Sequence, residues 1–216
     1  MKKFYLLLIF TLSIIFVSAQ TKIALKAGWN VATARVRYVN DVYSQNIKQP
    51  SSNINGFGLG IMFKTHFDDV LHFSPTISYN MRGYIYNPTY GDTSKYYNTI
   101  HYIDITPALS ADFPVGERKN TLVLSAGPQL GIAIAGTEKT TTKGGVTSSN
   151  KMKLSVDGEY GMFDLGFSSG LAFHTPKVFV ELGYLLGLAN INNNYQTDHR
   201  NIRNRMISVS FGYYLR

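Results

Sequence analysis

Apolar and polar residues alternate with a period of two over most of the chain from Thr21 to Arg216. The clearest stretch is Ile207-Ser208-Val209-Ser210-Phe211-Gly212-Tyr213, with large apolar side chains on one face and Ser and Gly on the other. Successive side chains of a β-strand point to opposite faces, so this period predicts strands rather than helices. It predicts eight of them, at about 22–35, 55–64, 70–82, 100–112, 121–135, 162–173, 178–189 and 205–215. Odd-numbered residues carry the apolar face in six of these strands. Even-numbered residues carry it in 121–135 and 178–189. The opposite face is dominated by Gly, Ser, Thr and Ala.

The connections alternate in length. Segments 66–69, 113–120 and 174–177 are compact, the second with Pro114 and Gly116. Segments of about 38–54, 83–99, 136–161 and 190–204 are long and polar. In a meander, odd and even connections lie at opposite ends of the sheet. The chain therefore has one end of long loops and one end of short turns, as outer-membrane barrels do with turns in the periplasm and loops outside. The predicted fold is all-β, an eight-stranded antiparallel up-and-down transmembrane β-barrel. It is expected in the cell outer membrane as a monomer, with the N- and C-termini periplasmic. A soluble secreted sandwich would show the same alternation on one buried face. Three features weigh against it. Every strand has a face of large apolar residues. The small-residue face suits a crowded barrel interior. Aromatics (Trp29, Phe67, Tyr79, Phe113, Phe173, Tyr184, Tyr213) cluster near strand ends, where membrane girdles sit.

The first segment reads as an export signal. Lys2-Lys3 precede an apolar run from Phe4 to Phe16, and Val17-Ser18-Ala19 offers small residues for cleavage before Gln20. The run is short for a spanning helix. Residues 1–19 are thus a signal peptide, and 20–216 are one barrel domain. The chain has no Cys, which excludes a lipoprotein signal and fits an exported protein without disulfides. The net charge is +8, with Lys2 and Lys3 inside the leader. The remaining Lys and Arg are scattered, so nucleic acid is not an expected partner. The excess suits anionic surfaces or lipid head groups.

Several short pieces resemble a known family. They are Leu25-Lys26-Ala27-Gly28-Trp29-Asn30, Ile103-Asp104-Ile105-Thr106-Pro107, Ala126-Gly127-Pro128-Gln129-Leu130-Gly131 and Phe163-Asp164-Leu165-Gly166 with Ser169-Gly170. Glu181-Leu182-Gly183-Tyr184, Gly187-Leu188-Ala189-Asn190-Ile191 and Asn204-Arg205 extend the match over nearly the whole mature chain. Together they resemble the outer-membrane β-barrel proteins of Bacteroidetes known as the PorT family. The resemblance implies an eight-stranded barrel without an assigned activity for most members. It implies a link to protein secretion through the family's named member. The chain ends Tyr213-Tyr214-Leu215-Arg216 rather than in the terminal Phe of many proteobacterial barrels. Tyr213 is the candidate signal for the outer-membrane assembly machinery.

With the apolar faces in lipid, Lys26, Lys64, Arg82, Asp104, Asp164 and Glu181 all fall on the inner faces. Three charges of each sign in a narrow lumen predict mutual pairing, because a lone buried charge is costly. A path for protons or small solutes is the competing reading of the same residues. Tyr84, Tyr86, Tyr90, Tyr96 and Tyr97 crowd the second long loop as a candidate aromatic cluster, suited to interfaces and sugars. The alternative is that these rings pack on themselves or extend the strands past the membrane. Asp198-His199 lies in the last long loop, with Ser208 and Ser210 facing the lumen beyond it. A nucleophile needs a base within hydrogen-bond reach and a third group to orient it, and no spacing here fixes that. His72, His101 and His174 lack metal-ligand spacing. Gly56-Phe57-Gly58-Leu59-Gly60 sits mid-strand without a following helix, so it reads as packing rather than a nucleotide loop.

No catalytic residue, cofactor site or metal site is therefore assigned. The expected role is structural or interaction-based, through surface loops or periplasmic turns, as an accessory to protein secretion with another envelope protein as partner. The alternatives are a small channel and a lipid-modifying barrel enzyme. Intact-mass or N-terminal analysis of the exported protein should find Gln20 as its first residue; a retained leader would overturn the cleavage site.

Overall fold

A strand in lipid has no water to satisfy its N–H and C=O groups, so every one must find a neighbouring strand. The computed structural model, which describes residues 21–40, 45–49, 51–88, 93–116, 119–155, 158–194 and 199–215, meets that demand by closing on itself. The wall strands are β1 (Lys22–Asn40), β2 (Ile54–His66), β3 (Leu71–Tyr86), β4 (Thr93–Val115), β5 (Asn120–Thr142), β6 (Phe163–His174), β7 (Val178–Gly187) and β8 (Arg200–Tyr214). Each pairs antiparallel with its neighbours in sequence. The β1–β8 pairing, from Ala24↔Tyr214 to Tyr38↔Arg200, closes the ring of eight. Both described ends of the chain, the turns 67–70 and 175–177, and the facing ends of β4 and β5 lie at one end, called here the terminal end. The loop end is opposite.

The two faces divide as the alternation predicts. Leu25, Trp29, Leu59, Ile77, Leu109, Leu124, Leu165, Leu182, Val209 and Phe211 are exposed on the outer wall, where a soluble protein would hide them. Ala24, Ala32, Val123, Phe179 and Met206 are buried inside. On β1 the outer apolar run from Ile23 to Val31 reaches roughly 20 Å along the barrel axis, at ~3.3 Å per residue and a tilt near 40°. That is close to the band a bilayer requires. Outward aromatics bound it, with Phe113, Phe173 and Tyr213 toward the terminal end and Trp29, Tyr79 and Tyr184 toward the loop end.

Two departures from regular pairing have local causes. Proline has no N–H to give a ladder. Pro75 and Pro107 face each other across β3–β4. Pairing lapses beside each of them, between Met62↔Thr76 and Thr65↔Phe73 on one side and between Ile105↔Leu130 and Leu109↔Ala126 on the other. On β5 the register steps from Tyr102↔Ala133 to His101↔Ala135, so Ile134 is an extra residue in a β-bulge. The bulge flips the inward parity of β5 from odd (Val123, Gln129, Ala133) to even (Gly136).

The loop end differs from the sequence reading. Segments 83–99 and 136–161 are not simply long loops: β3 and β4 pair from Gly83↔Thr99 to Tyr86↔Tyr96, and β4 and β5 pair as far as Thr93↔Thr142. A further strand, Thr147–Lys151, pairs back on β5. Above the bilayer both faces of a strand are wet, so the apolar–polar alternation that marks a strand fades there. Residues 1–19, read from the sequence as a leader, lie outside the described residues.

Placing a cation on the outer wall should be costly only within the apolar band. We expect Val209→Arg to lower stability by about 2–4 kcal/mol, read as the denaturant midpoint of the protein folded in vesicles. Arg at position 37 or 203 is native, so Arg203→Val should change the midpoint little by comparison.

Candidate functional site

The lumen holds the polar chemistry of the chain, in three levels. Toward the loop end, Arg82 points inward from β3 and is 1% exposed. Its Nη2 donates to Asp104 Oδ1 on neighbouring β4 at 2.5 Å, and its Nη1 to Asp164 Oδ2 on β6 at 3.4 Å. Its guanidinium lies 3.9 Å from the centre of the Tyr102 ring. Asn80 Nδ2 donates to the other Asp104 oxygen at 2.7 Å. From β8, Asn204 Nδ2 donates to Asp164 at 2.8 Å and to the Tyr102 hydroxyl at 3.2 Å. One guanidinium thus draws β3, β4 and β6 together, and Asn204 ties β8 to the same carboxylate. Gly131 makes room for it, since a Cβ there would lie 2.7 Å from Arg82 Nη2 and 2.8 Å from Asp104 Oδ1.

Below this knot the lumen opens into a narrow chamber of about 90 Å³. Hydroxyls line it, among them Ser74, Thr76, Ser78, Thr106, Ser110, Ser125, Ser168, Ser208 and Ser210. Ser74 and Ser110 bond across β3–β4 at 2.7 Å. Lys26 of β1 meets Glu181 of β7 here at 2.7 Å.

The third level is the mouth at the terminal end. Lys64 donates to Asp112 at 2.5 and 2.6 Å. His72 lies 3.6 Å from the same carboxylate and 3.2 Å from His66. His174 bonds the Tyr214 hydroxyl at 2.6 Å and stacks on Phe179. The Phe179 ring occupies the space a side chain at position 212 would need, which accounts for Gly212.

The structure brings the six lumen charges together as two separate groups plus one new pair. Lys26 meets Glu181, and Arg82 meets both Asp104 and Asp164. Lys64 takes none of the three predicted acids; its partner is Asp112. Asp112 escaped the sequence reading although it shares the even parity of Asp104 on the same strand. Asn80, Tyr102 and Asn204 escaped it too, because parity marks a residue as inward but not as a hydrogen-bond partner across the barrel.

The loop tyrosines need a correction. Tyr84 and Tyr86 lie on β3, and Tyr96 and Tyr97 on β4, so none of the four is in a loop. Tyr84 and Tyr86 are buried inward with Val36, Ile100, Ile191 and Ile202, and Tyr96 packs against that cluster. Tyr97 faces outward. Tyr90 lies outside the described residues. The cluster caps the lumen at the loop end with the segment around Ile191, held by Ile191 N donating to Ile202 O at 2.9 Å and Ile202 N to Asn190 Oδ1 at 2.8 Å. Tyr160 joins this cap by donating to Glu138 at 2.8 Å, on the stretch of β5 that the bulge turns inward. Burial, with Tyr84 and Glu138 nearby, pushes the Tyr160 hydroxyl pKa far above its usual value, so it stays a donor.

The histidines and serines do not assemble. His72 and His174 line the terminal mouth, while His101 is bonded by the Tyr79 hydroxyl at 2.5 Å. His199 precedes β8 at the loop end, and Ser208 lies nine residues along, about 30 Å away at strand rise. Asp198 lies outside the described residues.

A closed antiparallel ring with a lipid-exposed apolar band and a polar interior defines a transmembrane β-barrel. Residues 18–193 match the family of the outer membrane protein beta-barrel domain, and the chain belongs to that family. Among solved structures it is similar to the attachment invasion locus protein Ail of Yersinia pestis, at 13% identity and a TM-score of 0.44, covering 91% of this chain and 99% of that one. OprG of Pseudomonas aeruginosa has 10% identity and a TM-score of 0.47, over 91% and 96% of the two chains. Neisserial surface protein A has 17% identity and a TM-score of 0.42, over 88% and 96%. No protein of curated function matches the sequence.

Removing one partner of a buried ion cluster strands the others. Arg82→Met should cost about 3–5 kcal/mol by leaving two carboxylates without their cation. The triple change Arg82→Met, Asp104→Asn, Asp164→Asn should recover most of that loss. Denaturant midpoints in detergent decide it, and equal midpoints for the native and Arg82→Met proteins would remove the knot from any role in stability.

Proposed function

We propose that this chain is a non-catalytic barrel of the outer membrane that presents a partner-binding surface at its loop end, with both termini in the periplasm. The observation that carries this reading is a projecting ribbon. Beyond the apolar band β4 pairs with β5 as far as Thr142, and Thr147–Lys151 adds one more strand to β5. Every residue of Thr147–Lys151 is exposed, and among the described residues no strand pairs with its outer edge. An open edge offers unpaired N–H and C=O groups to an extended segment of another chain. The length asymmetry of the two ends supports placing the ribbon outside the cell.

The absence of a catalytic role rests on geometry already described. Of the titratable groups that line the chamber with the serines, His174 is engaged with Tyr214, Glu181 with Lys26 and Lys64 with Asp112. The resemblance to the PorT family of Bacteroidetes supports a secretion accessory, with another envelope protein on the ribbon. A small channel is the second reading, favoured by the hydroxyl-lined chamber. Against it stand Arg82, Tyr84, Tyr102 and Ile191, all at most 1% exposed across the path.

Two measurements test the reading. Cross-linking and pull-down from detergent-solubilised membranes should recover a stable partner with the native chain. A variant with residues 143–152 replaced by a short Gly-Ser turn should lose it and still fold. Repeated recovery of nothing, or of the same partner with both, would overturn the proposal. Planar-bilayer recordings of the purified protein should show no conductance steps, and steps would favour the channel instead.

A further inference from the structure

The outer wall changes character abruptly along the β1–β8 pair. Its outward-facing rungs, read toward the loop end, are Trp29↔Val209, Val31↔Ile207, Thr33↔Arg205, Arg35↔Arg203 and Arg37↔Asn201. The arginines point outward because their neighbours Ala34, Val36, Ile202, Asn204 and Met206 are buried inside. Within one rung the wall passes from hydrocarbon-seeking side chains to guanidinium groups. Arg205 pairs with Leu186 on β7, at the rim of the apolar band.

The arrangement is unfavourable by itself. Arg35 and Arg203 sit directly opposite each other, where like charges repel. Arg203 Nε donates to Asn201 Oδ1 at 3.1 Å, which holds its guanidinium on the wall. Among the described residues no ion pair reaches these four arginines. The ion pairs among the described residues all lie in the lumen or its terminal mouth. Glu138 is bonded by Tyr160, and Asp68 and Asp69 lie in a turn at the far end of the barrel.

We propose that Arg35, Arg37, Arg203 and Arg205 form a binding site for the phosphate of a lipid headgroup, on the outer wall at the loop end of β1 and β8. Depth selects the ligand. The patch begins one rung above Ile207 and Val31, where hydrocarbon gives way to the headgroup layer. Geometry suits it as well. Rungs lie about 6.6 Å apart along a strand and opposed residues about 5 Å apart. Two guanidinium forks can therefore grip one phosphate, each through paired N–H donors. A bound phosphate would turn the Arg35–Arg203 repulsion into a bridge. The site faces the membrane laterally, so it is distinct from the ribbon and stands or falls without it.

The chain carries its own reporter. Trp29 is its one tryptophan, and it lies exposed on the same outward face two rungs below the first arginine. The mature protein is folded into phosphatidylcholine vesicles containing a minor fraction of lipid with brominated acyl chains, which quench tryptophan on contact. Brominated phosphatidic acid should quench Trp29 at least about threefold more than brominated phosphatidylcholine at equal fraction. The variant R35Q/R37Q/R203Q/R205Q should lose that preference. The variant K95Q/K139Q/K143Q/K153Q, which removes as much charge elsewhere at the loop end, should keep it.

Equal quenching by the two lipids in the native protein would overturn the proposal, as would a preference that survives in the arginine variant or vanishes in the lysine variant. Millimolar inorganic phosphate should leave the preference intact; its loss would mark a site for free anions. Polyglutamate that abolishes the preference would mark a surface for acidic protein instead. Heat-modifiable gel mobility reports folding of each variant. If the fourfold change does not fold, R35Q and R203Q made singly should each weaken the preference, and no change in either would overturn the site.

Discussion

The constraint on which everything else depends is that hydrocarbon offers no hydrogen bonds. Each backbone N–H and C=O at membrane depth must be met by another strand, and an open sheet always has two unmet edges. Closing β8 onto β1 removes both. Once closed, the sheet has only an inside and an outside, and strict alternation along each strand follows. The exposed Leu, Val and Phe of the outer wall are stable because their solvent is lipid. The same closure makes the inside narrow, since eight strands leave room for little beyond side chains. Polar groups sent inward must satisfy one another there.

The lumen shows how that second demand is met. Its charged groups are not spread evenly. Arg82 with two carboxylates forms a tight knot near the loop end, Lys26 and Glu181 meet in the chamber, and Lys64 and Asp112 meet at the mouth. Between them lie hydroxyls that can bond one another or water. The knot and the aromatic cap above it close the loop end, while the terminal mouth holds His66, His72 and His174 around an open pocket. Such polarity makes the barrel two-ended in chemistry as well as in loop length. It also turns attention outward. With the interior occupied by its own side chains, the recognition we propose falls to the ribbon and the outer wall. There, among the described residues, Thr147–Lys151 has an open outer edge and the arginine rungs set like charges side by side.

Much of this is legible in the sequence alone. Parity alone assigned Leu25, Trp29, Leu165 and Val209 to lipid and Arg82, Asp104 and Asp164 to the interior, because a period of two leaves no other choice. Parity failed where its cause failed. Above the bilayer both faces of β4 and β5 are wet, so Tyr84, Tyr86, Tyr96 and Tyr97 looked like loop residues although they continue strands. At Ile134 one extra residue inverts the face of everything after it on β5, and no local signal marks that bulge.

Thus the sequence by itself determined the eight wall strands, their order, the face each presents to lipid and the end that carries the longer connections. These are local properties, written in alternation and turn residues. Which charge meets which was decided only by the tertiary structure. Lys26 and Glu181 are far apart in the chain, as are Arg82 and Asp164, and they meet only because the ring closes with one particular register. The cationic patch on β1 and β8 has the same origin. Arg35 and Arg203 belong to opposite ends of the sequence, and the strand pairing that seals the barrel is what sets them side by side.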